Sequence, residues 1–421
     1  MKVSSSLVVA SIAFASSLVS ASPLATRKAS KAKNNTADAS NAAGALYFIT
    51  NEPAGNHVVA SAIGTDGKLT FGKAHCTQGR GQHGVTDPDG PDGLFSQGSV
   101  KVSAAANALV AVNPGSNTVS MFSINPENPI DMKLIGGPVS SEGEFPMSVA
   151  LNKNGTMACV LNGGAVNGVM CYSIDQNMGL MAMNNSLRSL GLNQTTPPAG
   201  PAGTTSHIVF SEDNTKLIAS VKGTPPNDPG FLATWDISPD DGSLSQDFTK
   251  ATPSQGGLLP FSMTVIPGKN AILATDAGVG FDIFDFSGGN NASSSIVPIE
   301  GQKATCWSSF SEKTGNFYLT DIGTATVTEV NVDDNLKGSI VKQYPQTAGS
   351  GTIDNDIANV GGNDFMYVLG ANATQIDVLS LGAPGQAQGI QTFDIAGPAK
   401  AAGVKINPFN LQGMTSFIKK N

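Results

Sequence analysis

Residues 145–181 read FPMSVALNKNGTMACVLNGGAVNGVMCYSIDQNMGLM, and residues 206–244 read SHIVFSEDNTKLIASVKGTPPNDPGFLATWDISPDDGSL. Both open on a short strand-like run, turn at Asn, Asp and Gly, and continue through a second apolar segment. A third segment follows, closed by an acidic-glycine turn. In the first copy Val149 and Leu151 alternate along one segment, and Met157 and Val160 are apolar positions of the next, all of the kind a strand packs. The same order recurs more weakly from Gly98, Pro260 and Cys306. ALYFITNEPAGNHVVASAIGTDGKLTF from Ala45 and DFMYVLGANATQIDVLSL from Asp364 complete seven units, spaced by roughly 45 to 60 residues. One four-stranded unit cannot bury both its faces. Stacking the units around an axis buries them and leaves only short edges. The expectation is an all-β, seven-bladed β-propeller of four-stranded antiparallel blades over residues 44–421. A two-sheet sandwich accommodates seven such repeats poorly.

Composition agrees with many short strands joined by turns. The 421 residues include 48 glycines and 24 prolines, with only 13% charged residues. Residues 1–21 begin with one lysine, continue through an apolar run from Leu7 to Val19, and end on the small residues Ser20 and Ala21. This reads as a secretory signal cleaved after Ala21, with a membrane anchor as the competing reading. Residues 22–43 are poor in apolar side chains and carry Arg27, Lys28, Lys31 and Lys33, which reads as a disordered linker or pro-segment. Those four and Lys2, taken from a formal net charge of −8, leave −13 on residues 34–421. An acidic body argues against nucleic acid and anionic membrane as partners. No later apolar stretch is long enough to span a bilayer, and the expected state is a secreted monomer in the extracellular space or cell wall.

Four cysteines fit two disulfides in an oxidising compartment. Cys159 and Cys171 flank a strand–turn–strand segment, so facing positions of a hairpin bring them together. Cys76 with Cys306 follows by elimination, and a reactive thiol is the alternative. Asn-x-Ser/Thr sequons stand at Asn34, Asn154, Asn184, Asn193, Asn291 and Asn372, about the number chance gives in so Asn-, Ser- and Thr-rich a chain. It is the export signal that makes them glycosylation candidates.

The units resemble the seven-bladed lactonase-like propeller family, which includes bacterial 6-phosphogluconolactonases and fungal 3-carboxymuconate lactonizing enzymes. DGLFSQGSVKV (92–102), AVNPGSNTVSMFSI (111–124) and VLNGGAVNGVMCYSI (160–174) are similar to secreted fungal proteins named 3-carboxymuconate cyclases. The resemblance implies a site at the mouth of the central channel built from His, Arg and Glu. It carries a histidine over to His207 in SHIVFS. The family's Pro-Arg-His at the next inner strand is replaced by Pro260, Phe261 and Ser262, and Asp276 stands near the place of its glutamate.

Opening or closing a lactone on a carboxylated substrate needs a cationic clamp, a general acid or base, and donors for the developing oxyanion. The chain has three arginines, Arg27, Arg80 and Arg188. Arg27 falls in the linker and Arg188 in an insertion, which leaves Arg80. A Cys76–Cys306 bond would pin CTQGRGQHGVTDPDGPDGLFSQGSV (76–100) across the channel mouth and bring Arg80 and His83 beside His207 and Asp276. His207 is then the leading acid/base, Asp276 its partner and Arg80 the clamp. The plainer reading makes the segment a surface connection and His207 a satisfied strand histidine. Asp87, Asp89 and Asp92 suggest calcium, but their spacing is not that of an EF-hand loop and suits ordinary turns, so no cofactor is expected. Two functions follow. One is metal-free acid/base chemistry on a small lactone or unsaturated carboxylic acid. The other is a non-catalytic secreted glycoprotein that binds a surface ligand.

Overall fold

Seven antiparallel sheets surround a central channel, each at least four strands wide. The computed structural model describes residues 42–226, 228–289 and 292–420. The signal segment, almost all of the linker, Asn34 and Asn291 lie outside the described residues. Blades two to seven each run outward from their innermost strand. The innermost strands are Val100–Ser103, Pro146–Leu151, Thr205–Phe210, Pro260–Val265, Thr305–Ser311 and Thr352–Val360. Blade one is assembled from both ends of the chain. Its inner strand is the C-terminal Gln412–Ile418, followed outward by Gly44–Ile49, His57–Ile63 and Leu69–Cys76. Gly44 stands opposite Ile418 and Leu46 opposite Ser416, so the ring closes by strand pairing that the sequence pattern left open. Neighbouring inner strands pack in a ring around the channel.

The apolar alternation read from the sequence is nearly overwritten by burial. The second strands of blades two, three and five are buried along their whole length, because stacked blades cover both faces. Aromatic residues fill the wide spaces, with Trp235, Trp307, Tyr47 and Tyr367 fully enclosed. One short α-helix, Ala396–Ala401, and a single-turn 3-10 helix, Pro114–Ser116, occur among the described residues.

Blades three to seven share a device at the start of the inner strand. Pairing with the second strand shifts between Pro146 and Ser148, Thr205 and His207, Pro260 and Met263, Thr305 and Trp307, and Thr352 and Asn355. A bulge inserts an unpaired residue and re-aims the side chains around it. The repeat therefore sets Phe261 and Cys306 at the channel mouth.

Cys159 and Cys171 are directly paired across a hairpin with Cα atoms 4.0 Å apart, and they form a disulfide. Cys76 and Cys306 are both free, which corrects the pairing reached by elimination. Cys76 ends the outermost strand of blade one and is exposed, whereas Cys306 lies buried on the innermost strand of blade six. Strands within a sheet are spaced by about 4.8 Å, so the width of a blade alone exceeds the reach of a disulfide.

Candidate functional site at the channel mouth

The segment from Thr77 to Gly98 leaves the outer edge of blade one and returns to the inner strand of blade two by crossing the channel mouth. Its small residues permit close packing: a Cβ on Gly81 would stand 2.0 Å from the Asn51 carbonyl. Val85 forms a parallel bridge with Ala199, and Ser96 Oγ donates to the Met147 carbonyl of blade three. Gln97 is clamped to blade six, donating from Nε2 to Ser308 O at 3.0 Å and accepting the Ser308 N–H on Oε1 at 3.2 Å. Trp307 Nε1 donates to Ser96 O at 3.0 Å, and Gln412 Nε2 of blade one donates to the same carbonyl at 2.9 Å. The segment is thus a strap joined to blades on several sides of the ring, with no disulfide.

Beside the strap lies a cavity of about 570 Å³ with largely apolar walls, including Phe95, Pro201, Phe261 and Trp307. Val85 and Asp87 at its rim are exposed. Thr86 and Asp87 add polar groups to its lining, and the buried Lys222, Asp92 and Cys306 reach it as well. Lys222 immediately follows the second strand of blade four, Lys216–Val221. The corresponding positions of blades five and six are Ala277 and Ile322, which line the same cavity. Blade four therefore offers an amine where the next two blades offer hydrocarbon. Lys222 Nζ donates to Phe95 O at 2.8 Å and Thr205 O at 2.7 Å, and stands 4.7 Å from the centroid of the Phe261 ring. Phe261 packs edge-to-face on Trp307, with centroids 5.1 Å apart. At the residue where the family resemblance implied an arginine, an aromatic ring lies under a cation supplied by the adjacent blade.

Asp92 is the buried acid of the cavity. Its Oδ1 accepts the Ser96 N–H at 3.2 Å and Gln412 Nε2 at 2.9 Å. Burial raises its carboxyl, opposed by the Lys222 charge, and burial lowers the Lys222 ammonium, opposed by Asp92. Both groups are drawn toward their neutral forms. Burial, and then the nearby Asp92 charge, push the Cys306 thiol well up, which keeps it from acting as a thiolate.

The sequence candidates fall elsewhere. Arg80 is exposed and does not line the cavity; its backbone N–H donates to Ser116 Oγ, and its carbonyl accepts the Gly115 N–H. His83 is half-buried, with Nδ1 2.6 Å from Gly84 O and Nε2 2.8 Å from Gly90 O, so the ring braces the strap internally. His207 is buried inside the channel, below the strap. Its Nδ1 accepts the Met263 N–H at 2.9 Å, so the neutral ring carries its proton on an unpartnered Nε2. A Cβ on Gly98 would stand 3.1 Å from that atom. Burial, and then the charge of Lys101, lower the His207 pKa well below its ordinary value. Asp276 is fully committed to backbone: Oδ2 accepts Leu258 N–H at 2.7 Å and Leu259 N–H at 3.0 Å, and Oδ1 accepts Gly278 N–H at 2.8 Å. Asp321 also accepts three backbone N–H bonds in blade six, from Lys303, Gly323 and Thr324. The acid at 276 is thus one copy of a repeated loop clasp. Asp87 and Asp89 are exposed while Asp92 turns inward, and no cluster of three or more metal-ligating side chains occurs among the described residues.

No protein-family model matches the chain, and no curated protein does. Solved structures share the fold. The periplasmic gluconolactonase of Pseudomonas aeruginosa superposes with a TM-score of 0.60 at 16% identity, covering 84% of this chain and 96% of that one. A putative 6-phosphogluconolactonase of Bacteroides fragilis gives 0.58 at 13% identity over 89% and 98%. Another from Bacteroides uniformis gives 0.60 at 13% identity over 84% and 97%. These structures share the propeller fold of this chain.

Proposed function

We propose that this propeller binds a small, largely apolar carboxylic acid or lactone in the cavity at its channel mouth. One observation carries the reading: a buried lysine, Lys222, stands in an apolar cavity of about 570 Å³ at the place where the next two blades put Ala277 and Ile322. Apolar walls with a few convergent polar groups are the usual make-up of a small-molecule site. The frame shared with gluconolactonase-like propellers supports the ligand class. The resemblance to the 3-carboxymuconate lactonizing enzymes adds muconic acids to the compounds worth trying. Four of the sequon residues, Asn154, Asn184, Asn193 and Asn372, are exposed, which suits an exported glycoprotein of the extracellular space or cell wall.

Titration of the protein with aliphatic carboxylates, muconic acids and lactones, followed by tryptophan fluorescence, tests the binding. Loss of a charged hydrogen bond predicts that Lys222→Met weakens carboxylate binding by about 10- to 100-fold. Absence of saturable binding by every compound would sink the reading. Turnover is a second reading, favoured by Asp92 lining the same cavity as Lys222 with its carboxyl raised by burial. Proton release from a lactone that Asp92→Asn abolishes, with binding kept, would establish it.

A further inference from the structure

Lys222 Nζ has two protein acceptors, Phe95 O and Thr205 O, at 2.8 and 2.7 Å. An ammonium has three N–H groups. A neutral amine has two, together with a lone pair. Among the described residues no third acceptor reaches Nζ, and the side chain borders the cavity. Two carbonyls therefore hold the nitrogen in place and leave one position uncommitted: the third N–H of the ammonium, which can meet a carboxylate, or the lone pair of the amine form, which can meet a carbonyl carbon. Ala277, Ile322 and Trp307 contribute hydrocarbon and aromatic surface to the surrounding wall. Asp92 lies in the same cavity, its Oδ1 held by Ser96 and Gln412.

We propose that Lys222 captures the carbonyl carbon of a small apolar aldehyde or ketone in this cavity as a reversible imine. The proposal rests on the cavity being a ligand site. The Nζ lone pair forms the new C–N bond while the carbonyl π pair moves onto oxygen, which takes a proton. The nitrogen then loses one proton to give the carbinolamine, the hydroxyl leaves with a second proton as water, and the nitrogen gives up its remaining proton, leaving the imine. Hydrolysis reverses each step, and no oxidant or reductant enters. Asp92, whose carboxyl burial raises, is the group in the cavity suited to carry the proton to and from that oxygen. Burial also lowers the Lys222 ammonium, which favours the amine, and desolvation of this kind is one way a lysine becomes a nucleophile.

The test uses the full chain with hexanal and cyanoborohydride at pH 7, and mass spectrometry of the peptides to read reductive alkylation at every lysine. An ordinary exposed lysine is almost wholly protonated at this pH. Lys222 is therefore expected to be labelled at least about tenfold faster than exposed Lys68 or Lys405. Hexanoate should protect it, and Lys222→Arg should remove the fast site while keeping the donors to both carbonyls. Labelling of Lys222 no faster than of the exposed lysines, with hexanoate still binding, would overturn the capture and leave the ligand site standing. Neither labelling nor hexanoate binding would overturn both.

Discussion

Single side chains here take their roles from the blade repeat more than from their chemical type. Asp276 looks catalytic in isolation, yet Asp321 also accepts three backbone N–H bonds one blade later, two of them at the equivalent positions. Asp276→Asn and Asp321→Asn are therefore expected to cost similar stability, about 1–3 kcal/mol each, with ligand affinity unchanged, as read by urea unfolding and titration. A large affinity loss confined to Asp276→Asn would restore a role at the site. Its neighbour Asp282 is fully buried, and both its carboxylate oxygens lack a partner. Burial, followed by the nearby Asp276 charge, raises its pKa to about 8. The unfolded chain gives up that proton near pH 4 while the folded chain keeps it. The contribution of Asp282 to stability is therefore full below about pH 4, declines as the pH rises toward 8, and levels off above it. Between pH 5 and pH 8 the wild type should lose up to about 4 kcal/mol relative to Asp282→Asn. Parallel urea midpoints for the two proteins would refute this. Asp282 carried no signal in the sequence, because its burial comes from a loop that includes Gly257, where a Cβ would stand 3.2 Å from the Asp282 carboxylate.

At the scale of elements, the strap decides how the channel mouth is built. Its turns were legible, since Asp, Pro and Gly in DPDGPDG have few other uses than sharp reversals. Its course was not, because Gln97 meets Ser308 across 211 residues of chain. Gln97→Ala leaves the buried N–H and carbonyl of Ser308 without those partners. It should cost about 2 kcal/mol and raise hydrogen exchange along residues 92–98 ahead of the blades. Uniform exchange over strap and blades alike would show that the strap is not held at this point. The bulge at the start of the inner strands has the same character. The residues around it, such as Phe261 and Cys306, read as ordinary strand positions in sequence, and only the shifted pairing turns them toward one cavity.

At the scale of the whole molecule, ring closure depends on the C-terminal strand Gln412–Ile418 pairing with Gly44–Ile49. Removing residues 411–421 strips blade one of its inner strand and opens edges on both sides of the gap. Such a chain should lose the single cooperative thermal transition of the intact protein and associate through the exposed strand. A truncated chain that melts as one unit and stays monomeric would contradict closure by this strand. The sequence by itself determined the seven four-stranded units and the Cys159–Cys171 pair. Each of these rests on contacts between residues close in the chain, where period and turn chemistry are visible. Only the tertiary structure decided that Cys76 and Cys306 stay apart, that Arg80 faces solvent, and that Lys222, Asp92 and Phe261 share one cavity. These groups come from different blades and the strap between them. Their meeting is fixed by the closure of the ring, and no local pattern in the chain records it.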